Sequence, residues 1–575
     1  MDGPRGRRSG GQSDPAALLA EGVYRSSCGE FVNETTRQLL SGNEAVALAA
    51  RDGGVALGTG YPGTPSTEIL EAFSRLGGRA QWAPNEKVAL EVAIGAAFGS
   101  AAALATMKHV GLNVAADPLF TVAYTGCDGP LLIVSADDPG MASSQNEQDN
   151  RRLALAAAVP MLEPSDSQEC YDFTLAALAL SRRRQLPVIL RMTTRVCHSK
   201  TVVAPRPPEP PVGPPRFRRD LRGRVMIPAN ARPAHRRLRA KLAEIADWAE
   251  TCDLNEEFAG CRELGIVTSG IAAMHVREAA PQAGVLKLGL THPLALKRIR
   301  RFAAQHDRLV VIEEGDPFLV EQLRTAGIAV EDKPAMYRFG ELNVARVRRI
   351  LAGDISPEPA PRPGKPPALC TSCPHRATFQ VLRDLNCIVA GDIGCYSLAV
   401  LPPLEAMDSL VCMGASIGVG LGLRHVLPVA EARRVVSVIG DSTFVHSGIT
   451  GLVEMVYNRP TTGHVVLILD NSTTAMTGLQ EHPGTGRSLD HQPAGKIVFE
   501  DLARALGIEN VVVIDPSRDT ERFRQILKDA LESDELALIV ARRPCLLAAG
   551  KIKQYEEAAR TGESCSTVSA EWGKR

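Results

Sequence analysis

Val435-Val-Ser-Val-Ile-Gly-Asp-Ser-Thr-Phe444, with Val465-Val-Leu-Ile-Leu-Asp-Asn-Ser-Thr473 after it, decides the fold of this chain. Each run is short, β-branched and apolar, and stops abruptly at small and acidic residues. That pattern predicts two buried parallel strands that deliver polar groups at their carboxyl ends, where open α/β sheets place ligands. Asp441 and Asn471 supply hard oxygen atoms, and a backbone carbonyl at Thr473 adds a third. Mg²⁺ held by few protein oxygens together with a diphosphate suits that set. Gly440 lets the backbone approach a phosphate, and a helix after Ser442 is expected to aim its amino-terminal dipole at the same point. The competing reading is a strand end capped by Asp, followed by an unrelated Asn-Ser turn. The glycine-rich run 413–423 lacks the Gly-Lys-Ser/Thr ending of a P-loop and is expected to be a tightly packed helix beneath the diphosphate.

Composition fits a large enzyme. The 575 residues suffice for three or four domains, each with its own core. Sixty-five basic side chains balance sixty-five acidic ones, which leaves no long-range field for nucleic acid or a membrane surface. The start, Met1-Asp-Gly-Pro-Arg-Gly-Arg-Arg8, is basic with no apolar run behind it, unlike a signal peptide. No apolar stretch approaches the roughly twenty residues of a membrane helix. The thirteen cysteines are scattered and odd in number, unlike a secreted disulfide framework, so a reducing cytoplasm is expected.

Composition shifts divide the chain. Residues 1–29 read as a loose extension and 30–204 as a first α/β unit. Residues 205–261 combine a Pro/Arg-rich linker, extended and exposed over 205–239, with a helix. A second unit spans 262–355, a second linker 356–365 and a third unit 366–548, leaving a tail over 549–575. In the first unit, Tyr61-Pro-Gly-Thr-Pro-Ser-Thr-Glu68 leaves a strand and starts a helix capped by Ser66 or Thr64. Glu86 stands at the mouth of an alanine-rich helix, where the helix dipole favours an acid whatever its chemistry.

The Gly-Asp-Ser and Asp-Asn-Ser pair resembles the thiamine diphosphate and Mg²⁺ motif of thiamine-dependent enzymes. Gly60-Tyr-Pro-Gly-Thr-Pro-Ser-Thr-Glu68, Asn85-Glu-Lys-Val-Ala-Leu-Glu-Val-Ala93, Met107-Lys-His-Val-Gly-Leu-Asn113, Gly440-Asp-Ser-Thr-Phe-Val-His-Ser-Gly448 and Asp470-Asn-Ser-Thr-Thr-Ala-Met-Thr-Gly478 extend the likeness. Together they resemble the alpha subunit of indolepyruvate ferredoxin oxidoreductase, within the 2-oxoacid:ferredoxin oxidoreductases, from about Asn33 to Pro544. The resemblance implies three doubly wound α/β domains: pyrimidine-binding, transketolase-C-like and diphosphate-binding. It places Glu86 on the aminopyrimidine, with Glu91 next in line, and Asp441, Asn471 and the Thr473 carbonyl on Mg²⁺. Gly440, Ser442, Cys395 and Met476 surround the cofactor. Thr64, Lys108 and His109 lie near a bound 2-oxoacid, although Lys108 and His109 could equally satisfy local contacts. The implied reaction converts an aryl 2-oxoacid and coenzyme A to the aryl-acetyl-CoA, with electrons passed to ferredoxin. The implied assembly is a hetero-oligomer with a gamma- or beta-type subunit.

Four cysteines follow from the same resemblance. Cys370-Thr-Ser-Cys373, Cys395 and Cys545 match in order the thiolates that hold a proximal [4Fe–4S] cluster in related enzymes. Thr371-Ser372 replaces the Pro-Gly usual in the family. Zinc is a second reading of the Cys-x-x-Cys with His375. Cys395 packing near the cofactor, with Cys545 incidental, is a third. After Pro544 only Cys545 and Cys565 remain, too few for the family's two runs of Cys-x-x-Cys-x-x-Cys. Electrons are therefore expected to leave through one cluster or a partner subunit. The alternatives are a non-oxidative decarboxylase or acyl-transfer enzyme, and a catalytically inactive subunit, which intact Glu86, Asp441 and Asn471 argue against.

Overall fold

Strands Val435–Gly440 and His464–Asp470 lie side by side and parallel, with Gly440 opposite Leu469. That register sets Asp441 and Asn471 at neighbouring carboxyl ends of one sheet. The computed structural model describes residues 37–207, 213–359 and 368–561. The expected extension 1–29, most of the second linker and the end of the tail lie outside them. Three mainly parallel sheets account for the three expected α/β units.

The third sheet runs Ile388–Ala390, Val435–Gly440, His464–Asp470, Leu536–Arg542, Asn510–Ile514, with every neighbour parallel. Its central strands are buried on both faces, which is why they read as unbroken apolar runs. The glycine-rich run forms helix Ala415–Val426, packed on the sheet as expected. A methyl group at Gly420 would collide with Ser437 Oγ, so only glycine permits that approach. Beneath it His464 Nε2 meets Ser437 Oγ at 2.8 Å, and burial pushes the imidazole pKa down to about 3.

The first sheet runs Leu290–His292, Met161–Leu162, Val188–Thr193, Leu131–Asp137, Ala103–Lys108, Leu57–Gly60, Ala80–Trp82. From Leu57–Gly60 the chain goes to one neighbour, Ala80–Trp82, then crosses to the other, Ala103–Lys108. That reversal is a topological switch point, and the loops leaving these strands open into a crevice.

Two features depart from the sequence reading. Residues 205–239 are not all extended linker. Helix Pro228–Ala249 begins within them and buries Ala234, Leu238, Leu242, Ile245 and Ala249, four of which join the first unit's core. The arginines that suggested a solvated segment occupy the helix's outer face, and Pro228 is tolerated because the first helical position needs no N–H. Second, the edge strand of the first sheet, Leu290–His292, comes from the middle unit and pairs antiparallel with Met161–Leu162.

The middle sheet runs Leu309–Ile312, Cys261–Ser269, Ala283–Leu288, Glu256–Phe258, the last antiparallel. A buried ionic knot ties it to the first unit. Arg151, 1% exposed, reaches Asp149 at 2.6 Å and Glu313 at 2.5 Å, and donates to the carbonyls of Glu314 and Asp316. Beyond residue 545 the tail forms helix Leu546–Thr561. No helix among the described residues is long and apolar enough to cross a membrane.

Candidate active site

The carboxyl ends of the first and third sheets face one another across a cavity of about 530 Å³. From the first unit Tyr61, Thr64, Glu86 and Lys108 line it. From the third come Cys395, Gly440, Asp441, Ser442, Asn471, Thr473 and Met476. Glu91, the second choice for the aminopyrimidine, is exposed and pairs with Lys87; of the other residues expected around cofactor and substrate, only His109 lies outside the lining. Its ring is fully buried behind Lys108, with Nε2 at 3.0 Å from the Asn146 carbonyl. Burial lowers its pKa, so it reads as a structural contact of the 138–149 loop. Ser66 occupies the cap position of helix Thr67–Arg75, yet its hydroxyl donates to Gly63 O at 3.0 Å instead of capping.

Glu86 is the first residue of helix Glu86–Phe98 and is 4% exposed. Asn85 caps that helix, accepting from Val88 N at 2.9 Å, while its amide donates to His446 O across the domain boundary at 2.9 Å. His446 itself stands in a π-helical turn, Phe444–Gly448, inside the helical stretch that follows Asp441. Such turns recur at functional sites, because the extra residue re-aims a side chain. Here it turns the imidazole toward Glu86, with Nε2 2.9 Å from Oε2. Opposite, Gly111 lies so close to Glu86 that a methyl group there would stand 2.6 Å from both Cγ and Oε1. No sequence signal linked His446 to Glu86, since 360 positions separate them.

At the other end, backbone N–H groups of Ser442 and Ser472 each donate to Asp441 at 2.8 Å. Burial works to raise the Asp441 pKa, but the His482 charge and these hydrogen bonds outweigh it and hold the pKa below its ordinary value. His482 Nε2 lies 3.3 Å from Asp441 Oδ2, a buried ion pair beside the proposed metal site. Asn471 Oδ1 accepts from Thr473 N at 3.2 Å. Behind Asn471 sits His375, its pKa pushed down to about 4 by burial. Tyr396 donates to the Ile393 carbonyl at 3.1 Å and also lies 2.8 Å from Gly440 N, whose N–H donates to it. A side chain at Gly440 would run into that ring. Tyr61 Oη and Ser442 Oγ, 2.7 Å apart, close the seam between the units.

Lys108 projects from the end of strand Ala103–Lys108, and its amine donates to Ser143 O at 3.2 Å. Burial lowers its pKa, opposed by the charges of Asp138 and Glu86. On the far wall, the Cys395 thiol is pushed up to about 11, first by burial and then by Cys373, Cys545 and Cys370. The four cysteines are thus electrostatic neighbours. Even so, among the described residues no three His, Cys, Asp or Glu side chains stand at metal-ligand spacing.

Comparison with known proteins agrees with this construction. The family profile for pyruvate flavodoxin/ferredoxin oxidoreductase, thiamine diphosphate-binding, matches residues 48–230, and that for the thiamine pyrophosphate enzyme C-terminal TPP-binding domain matches 392–541. The indolepyruvate oxidoreductase subunit IorA of Archaeoglobus fulgidus is 38% identical over 573 residues, covering 93% of this chain and 89% of its own. This chain belongs to the IorA family. The protein of the same name from Methanothermobacter thermautotrophicus is 40% identical over 568 residues, with coverage of 92% and 90%. That from Pyrococcus abyssi is 37% identical over 560, with coverage of 89% and 86%. Both matched segments contribute residues to the cavity described above.

The donor set fits the cofactor. One buried carboxylate, an amide oxygen and a carbonyl make a hard, low-charge Mg²⁺ site of the kind completed by a diphosphate. His482 Nε2, 3.3 Å from Asp441 Oδ2, stands beside that site. The four-cysteine set, as arranged, does not close around an ion.

Proposed function

We propose that this chain binds thiamine diphosphate and Mg²⁺ and oxidatively decarboxylates an aryl 2-oxoacid, such as indolepyruvate, to the aryl-acetyl-CoA. The observation that carries the reading is the convergence of Glu86 with Asp441, Asn471 and Thr473 on one cavity, from two sheets of one chain. The names of the IorA relatives support the substrate class.

Bound there, thiamine diphosphate supplies a nucleophilic thiazolium carbon and the electron sink for loss of CO₂. Asp441, the Asn471 amide oxygen and the Thr473 carbonyl would hold Mg²⁺, and Gly440 admits the diphosphate against the backbone. Glu86 shares a proton with the aminopyrimidine ring. Thr64 and the cationic Lys108 face the same space and would take the substrate carboxylate. The Tyr61–Ser442 contact would help to keep water out of the site from the seam between the units. Overall, 2-oxoacid and coenzyme A give acyl-CoA, CO₂, a proton and two electrons. Those electrons would leave through a partner subunit, because Cys370, Cys373, Cys395 and Cys545 as arranged do not close around a cluster.

The test is an anaerobic assay of the chain with its partner subunit, an arylpyruvate, coenzyme A and viologen. Reduced viologen with acyl-CoA is expected. Aldehyde with no reduced viologen would establish the non-oxidative decarboxylase instead. Iron analysis decides the electron route: an iron-free chain is expected, and about four irons per chain, lost in Cys545→Ser, would move the exit to a cluster.

A further inference from the structure

Glu86 lines the cavity yet is only 4% exposed, so a cofactor seated there would cover its route to bulk water. The structure offers it a different connection. His446 Nε2 lies 2.9 Å from Glu86 Oε2, and His446 Nδ1 lies 2.7 Å from Ser447 Oγ. Ser447 is half-buried and is not part of the cavity lining. When Glu86 is ionised its oxygens only accept, so Nε2–H donates to Oε2 and Nδ1 accepts from the Ser447 hydroxyl.

We propose that His446 is a proton relay that recharges Glu86 from behind the cofactor, through Ser447. This rests on the thiamine diphosphate reading above. A proton that Glu86 gives to the aminopyrimidine is replaced in one concerted shift. The Ser447 O–H proton passes to Nδ1, the Nε2 proton passes to Oε2, and water reprotonates Ser447, so one proton enters and none is lost. His446 touches neither cofactor nor substrate and acts through Glu86. Its position is fixed independently of any ligand by the π-helical turn, by Asn85 bonding to its carbonyl and by the Tyr61 ring, edge-on at 4.8 Å. The titratable groups facing this chain of contacts are Glu86, Tyr61 and, through the Glu86 charge, Lys108.

The test measures exchange of the bound cofactor's C2 proton in D₂O, which reads Glu86 without substrate, partner or turnover. His446→Gln keeps an N–H donor for Glu86, so it preserves position, but an amide passes no proton. Cofactor affinity near wild type by calorimetry, with exchange slower by on the order of 10², is expected. Glu86→Gln should slow exchange at least as far. The double variant should be no slower than Glu86→Gln alone, because both changes cut one path. Ser447→Ala, expected to slow exchange less, keeps the question decidable should His446→Gln fail to fold. Wild-type exchange in His446→Gln, or in Ser447→Ala if the former does not fold, overturns the relay, as do losses that multiply in the double variant. A wild-type chain that binds no thiamine diphosphate overturns the functional reading as well, so the two failures are distinguishable.

Discussion

In the proposed reading, cofactor binding turns on Asp441. Its carboxylate is the only charge among the three proposed Mg²⁺ donors, and two backbone N–H groups already hold it ionised. Asp441→Ala leaves the diphosphate without its neutralising ion, so the calorimetric signal with thiamine diphosphate and Mg²⁺ should vanish. Unchanged affinity would end the assignment. Glu86→Gln should separate binding from chemistry, because the amide fills the same space but cannot share the required proton. Turnover should fall by on the order of 10² to 10⁴ with cofactor affinity nearly intact. Near-normal turnover would make Glu86 a helix-terminal acid. At this scale the sequence was informative wherever a residue ends a strand or opens a helix, as Glu86, Asp441 and Asn471 do. His446 and His482 escaped it because each acquires its meaning from a partner distant in the chain or from an irregular loop.

Elements were legible in proportion to their periodicity. The two central strands of the third sheet stood out because burial on both faces leaves no polar residue to interrupt them. Helix Pro228–Ala249 was obscured because its outward arginines and prolines outweigh, in composition, a stripe of buried residues spaced three or four apart. Strand Leu290–His292 is too short to carry any pattern. Between elements, the Arg151 knot gives a sharp expectation. Arg151→Ala leaves Asp149 and Glu313 buried without their hydrogen-bonded counter-charge, with only the more distant Arg191 and Lys333 to compensate, a change worth about 3 kcal/mol. Arg152→Ala, which breaks only the exposed pair with Glu321 at 2.9 Å, should cost less than about 1 kcal/mol. Denaturant melts of the two variants make the comparison. Equal effects would mean that the knot contributes no more than a surface pair.

For the whole molecule, buried histidines set the acid limit. His464 titrates near 3 and His292 near 4 in the folded chain, both depressed chiefly by burial, against an ordinary 6.5. At these two sites the unfolded chain binds more protons than the folded one below pH 6.5, while the buried Glu314 carboxyl, raised to about 7, works the other way. The contribution of these two histidines is fully present above 6.5 and is lost as pH falls toward 4. The thermal midpoint should drop across that window, and His464→Asn should flatten the slope relative to wild type. A slope that His464→Asn leaves unchanged would contradict the burial of that ring. The three-unit organisation was legible because alternating strands and helices admit few architectures. The way the units share a sheet was not, since pairing across nearly 130 positions leaves no local trace.

That shared sheet also bears on how the chain is made. Residues 37–207 leave the ribosome long before Leu290–His292, yet the strand at 161–162 has its outer partner only once those residues emerge. The first core likewise includes Ile271, Leu290 and Ala295. A nascent first unit must therefore wait, with an open edge, for roughly the time needed to translate another ninety residues, a matter of about 5–20 s. During that interval the exposed edge is a site for mispairing or chaperone capture. The N-terminal half of the protein is first to be synthesised and cannot be first to finish.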